Sequence, residues 1–351
     1  MDRGVEKRKV GLDILRILSM LMVITQHYVG KGGVLEAKSF SFTWYFGNFL
    51  NIICYPCVLL FVLITGYFIS YEKNILVEKK IIKIWKIVFF YSIGISLMML
   101  LFKFQISKTE ILKSFFPILF RRWGFVNNYI FLIILSPAIN IYLKNATEYN
   151  IKITILILTI IQCIIPYISM KDTFNTSYGN SIVWFIYLYI VAYFIRKNKI
   201  QNKFSKTKWG LIAILCVCIS YLAKILIAII TLKIFGIVKY SGAFVGETPI
   251  INIILAICIF CIFLKITIEK NLLKIIFSNL GATAFSVYLV HEHPLLRYYL
   301  WEKLGVKFIS NLSPCYQILH WLLCIISIYV CISFIEVFRK FLFRNCVLQV
   351  N

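Results

Sequence analysis

The chain has 351 residues, of which 61% are hydrophobic and only 15% are charged, and its mean hydropathy is +0.86. A composition this apolar excludes a water-soluble globular protein, whose surface must be largely polar. The formal net charge of +24 does not indicate a nucleic-acid-binding protein, because the lysines and arginines lie in short clusters between apolar runs, as they do in proteins that cross a membrane.

Apolar runs long enough to cross a bilayer recur along the whole chain. A transmembrane helix needs about 20 apolar residues, because in the hydrocarbon core only the helix's own hydrogen bonds can satisfy its backbone. The sequence predicts an all-α, polytopic membrane protein with about ten transmembrane helices and a single membrane-embedded domain over residues 1–351. The predicted spans are 11–29, 49–70, 84–102, 125–143, 151–168, 181–195, 209–231, 249–264, 275–293 and 316–338.

Basic residues are distributed unevenly between the two sides of these spans. Lys and Arg in short loops resist translocation, and more of them fall on the side of the N-terminal flank MDRGVEKRKV. The sequence therefore predicts that both termini are cytoplasmic. The loop 103–122 opposes this trend with five basic residues, which leaves two interpretations open: a re-entrant or amphipathic segment that contacts an anionic ligand, or an ordinary solvated loop.

The first span carries ionisable side chains, which are costly in a membrane and therefore point to function. Arg16 and His27 in LDILRILSMLMVITQHY are eleven residues apart, which places them within about 20° of the same helix face and about 16 Å apart along the axis. Asp13 can pair with Arg16 one turn later. We expect this face to line a protein interior; the alternative is an interfacial Asp13–Arg16 pair with His27 at the level of the lipid headgroups.

A second polar group lies at the outer end of span 275–293, in LGATAFSVYLVHEHPLLRYYLW. Tyr288 and His291 share a helix face, and Pro294 ends the helix. The ionisable residues around this proline should cluster at the mouth of the helix: Glu292, His293 and Arg297. His291 and His27 should lie at the same membrane depth, so the two imidazoles converge if their helices are neighbours.

The cysteines do not indicate a metal or redox centre. Most of the eleven lie within apolar runs, and the two CxxC spacings, at 54–57 and 258–261, have no histidine or acidic partner nearby. We interpret these residues as small hydrophobic side chains of helices, and expect no metal.

Several of these segments resemble a known family. The R-x10-H spacing of the first span, the run CVLLFVLITGYFIS (57–70) and the segment LGATAFSVYLVHEHP (280–294) resemble hallmarks of the acyltransferase 3 family. The members of this family are integral membrane enzymes that move acyl groups, commonly acetyl, onto surface carbohydrates. The segment YIFLIILSPAIN (129–140) resembles the helix of members that act on capsular, exopolysaccharide or other envelope glycans, and the resemblance extends over residues 11–344.

The sequence departs from the family pattern at two places. The usual Ser-Gly of the second span is Thr65 and Gly66, which keeps a hydroxyl group. The basic motif expected before the third span, usually rich in arginine, is supplied by lysines, whose point charges lack the bidentate fork of arginine. The resemblance implies an acyl-CoA donor. Our candidates for binding its phosphates are Arg16 and the lysines of this motif, Lys79, Lys80 and Lys83.

The resemblance implies a membrane O-acyltransferase, specifically an O-acetyltransferase. It would move an acyl group from acetyl-CoA or another acyl-CoA to a hydroxyl of a cell-surface or lipid-linked carbohydrate, in a plasma membrane of bacterial type. His27 is the expected general base, with Arg16 and His291 as further catalytic residues. The expected substrate-binding residues are Tyr288, Asp13, Lys79, Lys80, Lys83, Arg121 and Arg122. The expected partners are membrane lipids and a carbohydrate acceptor, and no nucleic acid.

Two other function classes fit a basic protein with many membrane helices. A lipid-linked oligosaccharide flippase or glycan polymerase would change glycan export or chain length and leave acyl content unaltered. If the protein were a non-catalytic sensor or scaffold, the costly ionisable residues Arg16 and His27 within the first span would be unexplained. In the outer loops, further candidates for contact with a sugar are Trp44, Trp123, Asp172 and Glu247, although anchoring at the membrane interface explains the tryptophans equally well.

Overall fold

The structure is a computed structural model that describes residues 9–72, 76–239, 242 and 245–347. Most of these residues lie in fifteen α-helices and none lies in a β-strand, which confirms the predicted all-α fold. The helices are α1 (Val10–Gly30), α2 (Phe42–Cys54), α3 (Cys57–Ile69), α4 (Val77–Leu101), α5 (Lys108–Phe115), α6 (Gly124–Asn145), α7 (Glu148–Thr159), α8 (Ile165–Ser169), α9 (Ile182–Lys197), α10 (Lys206–Phe235), α11 (Ile250–Leu264), α12 (Asn271–Gly281), α13 (Ala284–His291), α14 (Arg297–Lys303) and α15 (Pro314–Val347).

Eight helical segments among the described residues are long and apolar enough to cross a membrane. They are Val10–Gly30, Phe42–Ile69, Val77–Leu101, Gly124–Asn145, Glu148–Ser169, Lys206–Phe235, Asn271–His291 and Pro314–Phe343. The two other predicted spans, 181–195 and 249–264, coincide with the shorter helices α9 and α11. The protein is therefore a multi-pass membrane protein. The chain ends 1–8 and 348–351 lie outside the described residues, and the cytoplasmic location of the termini stays a prediction.

Two predicted spans are interrupted in the structure. The span predicted at 49–70 begins at Phe42, where the Ser41 side chain caps α2 by accepting a 3.2 Å hydrogen bond from the Trp44 backbone N–H. It then breaks between α2 and α3 at Pro56, which has no N–H to continue the helical ladder. The span predicted at 275–293 is likewise divided, into α12 and α13.

The basic loop 103–122 contains a short amphipathic helix, α5. Ser107 caps its start by accepting a hydrogen bond from the Glu110 backbone N–H at 3.2 Å. Its buried face is tied to α4, because the Ser114 hydroxyl lies 2.7 Å from that of Ser96 and Ser92 donates to the Ser114 carbonyl at 2.9 Å. The loop therefore contains a short helix that packs on α4; both interpretations of its role stay predictions.

Helix α1 lies at the centre of the fold. It contacts α2, α3, α11, α12, α13 and α15. Leu12, Leu15, Ile24 and Tyr28 on this helix are fully buried. A helix surrounded in this way presents its polar face to protein, not to lipid, so the side chains of Arg16 and His27 can line an interior space.

Helices α3 and α9 pack closely where Gly66 crosses Tyr189 and Ala192. A methyl group on Gly66 would lie 2.9 Å from the Ala192 Cβ and 2.9 Å from the Tyr189 Cα. These separations are shorter than a carbon–carbon contact allows, so the second-span glycine is required by helix packing.

We expect Gly66→Ala to lower the free energy of unfolding by ~1–3 kcal/mol, because the added methyl group must push α3 and α9 apart. The thermal unfolding midpoint of the purified protein in detergent measures this effect. Gly94→Ala is the matched control, since no atom lies within 4 Å of the added methyl group. An equal midpoint for both variants would contradict the packing argument.

Candidate active site

A cavity of about 810 Å³ lies between α1, α3, α4, α6, α9 and α13. Much of its wall is aromatic, from Phe61, Phe125 and Phe185 among others. Five of the predicted site residues also line it: Arg16, His27, Lys80, Lys83 and Tyr288. An apolar cavity with a few convergent polar groups is the usual form of a ligand site.

The polar groups Arg16, Lys80 and Lys83 form what we call the basic end of the cavity. Arg16 pairs with Asp13 at 2.5 Å, as predicted, and the Asp13 side chain is only 1% exposed. Asp13 is therefore packed against protein, and Arg16 lines the cavity; the depth of the pair in the membrane stays a prediction. Lys80 pairs with Glu72, whereas Lys83 forms no ion pair with any described residue, so this end retains positive charge for an anionic ligand.

At the other end of α1, His27 lines the cavity and pairs with the fully buried His291 behind it. His27 Nδ1 lies 3.0 Å from His291 Nε2, and His291 Nδ1 lies 2.6 Å from the Val287 carbonyl oxygen. Because a carbonyl can only accept, His291 carries its proton on Nδ1, and its Nε2 is an acceptor when the ring is neutral. His27 must therefore donate from Nδ1. Its Nε2 is left with a lone pair, which is the state that a general base requires.

Glu292 completes this group, although it was not among the predicted site residues. Its Oε2 lies 3.3 Å from His27 Nδ1 and forms no hydrogen bond with a described residue, while Oε1 pairs with Lys31 and accepts from Arg297 Nη1 at 3.2 Å. Two cations thus fix the carboxylate beside the imidazole. When His27 takes up a proton, the positive charge forms next to a carboxylate that is already in place.

Tyr288 lines the cavity between the histidine pair and α6. Its ring lies 6.2 Å from that of His291 and 5.6 Å from that of Phe125, both edge-on. The predicted convergence of two histidines and this tyrosine is therefore present. Their chemical roles stay predictions.

The structure places the other predicted substrate-binding residues away from the cavity wall. Lys79 is exposed and does not line the cavity, whereas Lys80 and Lys83, one turn apart on α4, do. Arg121 is also exposed, and the buried Arg122 pairs with Glu110 of α5 at 3.1 Å. A hydrogen bond from Lys113, with Arg122 nearby, lowers the pKa of Glu110, so this pair is ionised. Substrate binding by these residues stays a prediction.

His293 is separated from the His27 group despite its nearness in sequence. Its ring packs edge-on to Trp123, with 5.4 Å between ring centroids, and its Nδ1 accepts from the Leu295 N–H at 3.2 Å. Burial and the nearby Arg122 lower its pKa to about 3, so it is neutral. It holds the turn after α13 and leaves Glu292 facing the cavity.

Comparison with known proteins decides the family. The model of the acyltransferase domain, Acyl_transf_3, matches residues 9–336, nearly the whole chain. The chain belongs to the acyltransferase 3 family. No curated protein and no solved structure matches it. Together with the helices that can cross a membrane, family membership identifies a membrane acyltransferase and favours this function over the transport and scaffold alternatives.

We expect Glu292→Gln to slow acyl transfer by ~10²-fold, because a neutral amide cannot stabilise the imidazolium that forms when His27 acts as a base. Acyl transfer per protein molecule, at matched abundance in the membrane, measures this effect. Glu302→Gln is the control, since that carboxylate is exposed on α14 and lies outside the cavity wall. Equal rates for the two variants would remove Glu292 from the mechanism.

Proposed function

We propose that this protein is an O-acyltransferase that moves an acyl group, acetyl in particular, from acyl-CoA to a hydroxyl of a cell-surface or lipid-linked carbohydrate. The observation that carries the proposal is the Nε2 of His27, which has no hydrogen bond to a described residue and belongs to an aromatic-walled cavity whose other end is basic. A base and an anion site within one cavity are what transfer from a phosphate-bearing thioester to an alcohol requires.

The basic end suits the phosphates of coenzyme A. Arg16 and His27 are about 16 Å apart along α1, so a donor whose phosphates lie against Arg16, Lys80 and Lys83 can extend its pantetheine arm and thioester toward the imidazole. Because acyl-CoA is made in the cytoplasm, the basic end would face that side. This orientation agrees with the predicted cytoplasmic location of the N-terminal flank.

The chemistry follows from the histidine pair. In direct transfer, His27 Nε2 removes the proton of the acceptor hydroxyl while its oxygen attacks the thioester carbonyl carbon. The tetrahedral intermediate collapses with cleavage of the carbon–sulfur bond, and the proton on His27 passes to the departing coenzyme A thiolate. His291 holds Nδ1 by a hydrogen bond, the nearby Glu292 carboxylate stabilises the transient positive charge, and Tyr288 is our candidate for orienting the acceptor.

We expect His27→Ala to abolish glycan acylation while the protein inserts at normal abundance, because the proposed transfer uses the His27 imidazole to take the hydroxyl proton. Mass spectrometry of surface glycans compares cells that carry the wild-type protein, the variant or neither. Retained acylation in the variant would remove His27 from the mechanism. If wild-type cells show no acyl increment but altered glycan chain length or export, the flippase or polymerase alternative is supported and the proposal fails.

We expect Lys80→Ala combined with Lys83→Ala to raise the Kd for acetyl-CoA at least ~10-fold, since hydrogen bonds to charged groups contribute ~1.5–3 kcal/mol each. Titration calorimetry with purified protein and acetyl-CoA measures this change. Lys86→Ala on the same helix is the control, because Lys86 is exposed and outside the cavity wall. An unchanged Kd in the double variant would place the donor phosphates elsewhere.

A further inference from the structure

Glu247 lies in the cavity wall at the end opposite Arg16. Helices α1 and α3 run in opposite directions, since Lys9 at the start of α1 bonds the hydroxyl of Tyr67 near the end of α3. Tyr55, which precedes α3, therefore lies at the His27 end of the cavity. Glu247 is a neighbour of Tyr55 and lines the same wall. We call this region, formed by Tyr55, Gly179, Asn180 and Glu247, the Glu247 end.

The backbone around Glu247 is held in place. Its carbonyl oxygen accepts a 3.0 Å hydrogen bond from Asn252 Nδ2, and the hydroxyl of the adjacent, fully buried Thr248 lies 2.8 Å from that of Tyr167. Gly179 packs against the carboxylate with a φ of +101°, and a methyl group there would lie 3.1 Å from Glu247 Oε2. A side chain at this position would be both strained and crowded. The loop and the glycine therefore present the carboxylate to the cavity in a defined position.

The Glu247 carboxylate has no hydrogen bond or ion pair to any described residue, unlike the other acidic groups that the fold buries. Glu292 has Lys31 and Arg297, and Glu336 accepts from Arg339 at 2.7 and 2.8 Å. Burial raises the pKa of Glu247 to about 7. Burying a carboxyl group that accepts no hydrogen bond costs free energy, unless a ligand supplies the hydrogen-bond donors.

We infer that Glu247 binds hydroxyl groups of the acceptor sugar and that the part of the acceptor at this end of the cavity is uncharged. This inference rests on the proposed function. Hydroxyl groups supply the donors that the carboxylate lacks, and the Asn180 amide, which is held by a 3.3 Å hydrogen bond from Asn128, adds a second polar contact in the same wall. A phosphate or carboxylate of the acceptor would be disfavoured beside Glu247 whenever this group is ionised, whereas the donor's phosphates find cations at the basic end.

The inference is tested with Glu247→Gln in the full-length protein reconstituted in lipid nanodiscs. The donor is acetyl-CoA, and the acceptor probe is surface glycan purified from cells that lack the protein. We expect the KM for glycan to rise at least ~10-fold, since each hydrogen bond to a charged group contributes ~1.5–3 kcal/mol, while the KM for acetyl-CoA changes less than about twofold. Glu247→Asp, which keeps the charge, should restore part of the affinity for glycan.

Glu302→Gln, an exposed carboxylate on α14, is the matched control and should match wild type in both constants. An unchanged KM for glycan in Glu247→Gln, with wild type active, would overturn this inference and leave the proposed function standing. A loss of acetyl-CoA affinity or of folded protein together with glycan affinity would show a structural role and also overturn it. A wild-type protein that transfers no acetyl group from acetyl-CoA would overturn the proposed function and this inference with it.

Discussion

The hydrogen bond between His27 and His291 joins residues that are 264 positions apart in the chain, and the geometry of the candidate site depends on it. It connects α1 to α13 and, through the Val287 carbonyl, fixes which nitrogen of each ring carries a proton. An interhelical hydrogen bond within a membrane contributes on the order of 1 kcal/mol, too little to hold two helices together. Its consequence is chemical: the lone pair of His27 Nε2 is left available.

Packing around α1 is what brings the two rings together. The helix is surrounded by neighbours along its length, and its buried residues include Leu12, Leu15 and Ile24. Close packing allows a rigid axis along which Arg16 and His27 keep a fixed separation. The close approach of α3 to α9 at Gly66 supports the facing wall. A mechanism that uses both ends of the cavity at once needs such a fixed distance, because a displacement of about 1 Å can cost ~10²-fold in rate.

The carboxylates that the fold buries away from the cavity have partners, whereas charges along the cavity are only partly paired. An unpaired charge at the centre of a membrane helix costs about 2.5–3.5 kcal/mol even by the lowest scales. Away from the cavity, Glu336 is satisfied by Arg339 and by the Tyr91 hydroxyl at 2.7 Å, a contact that ties α15 to α4. Along the cavity the pairing is incomplete, with a cation in excess at the basic end and Glu247 without a donor among the described residues. This contrast separates groups that stabilise the fold from groups that can meet a ligand.

The sequence by itself determined the helical class, the recurrence of apolar membrane-spanning segments and the shared face of Arg16 and His27, because hydropathy and helical periodicity are local properties. It also placed Tyr288 and His291 together, one turn apart. Only the tertiary structure decided that Lys80 and Lys83 reach the cavity while Lys79 does not, and that Glu292 lies beside His27. The same holds for Glu247, whose neighbours come from three separate loops or helices. The physical reason is that the hydropathy pattern of the sequence determines where each helix forms and which residues share its face. Which helices become neighbours depends on packing over the whole molecule.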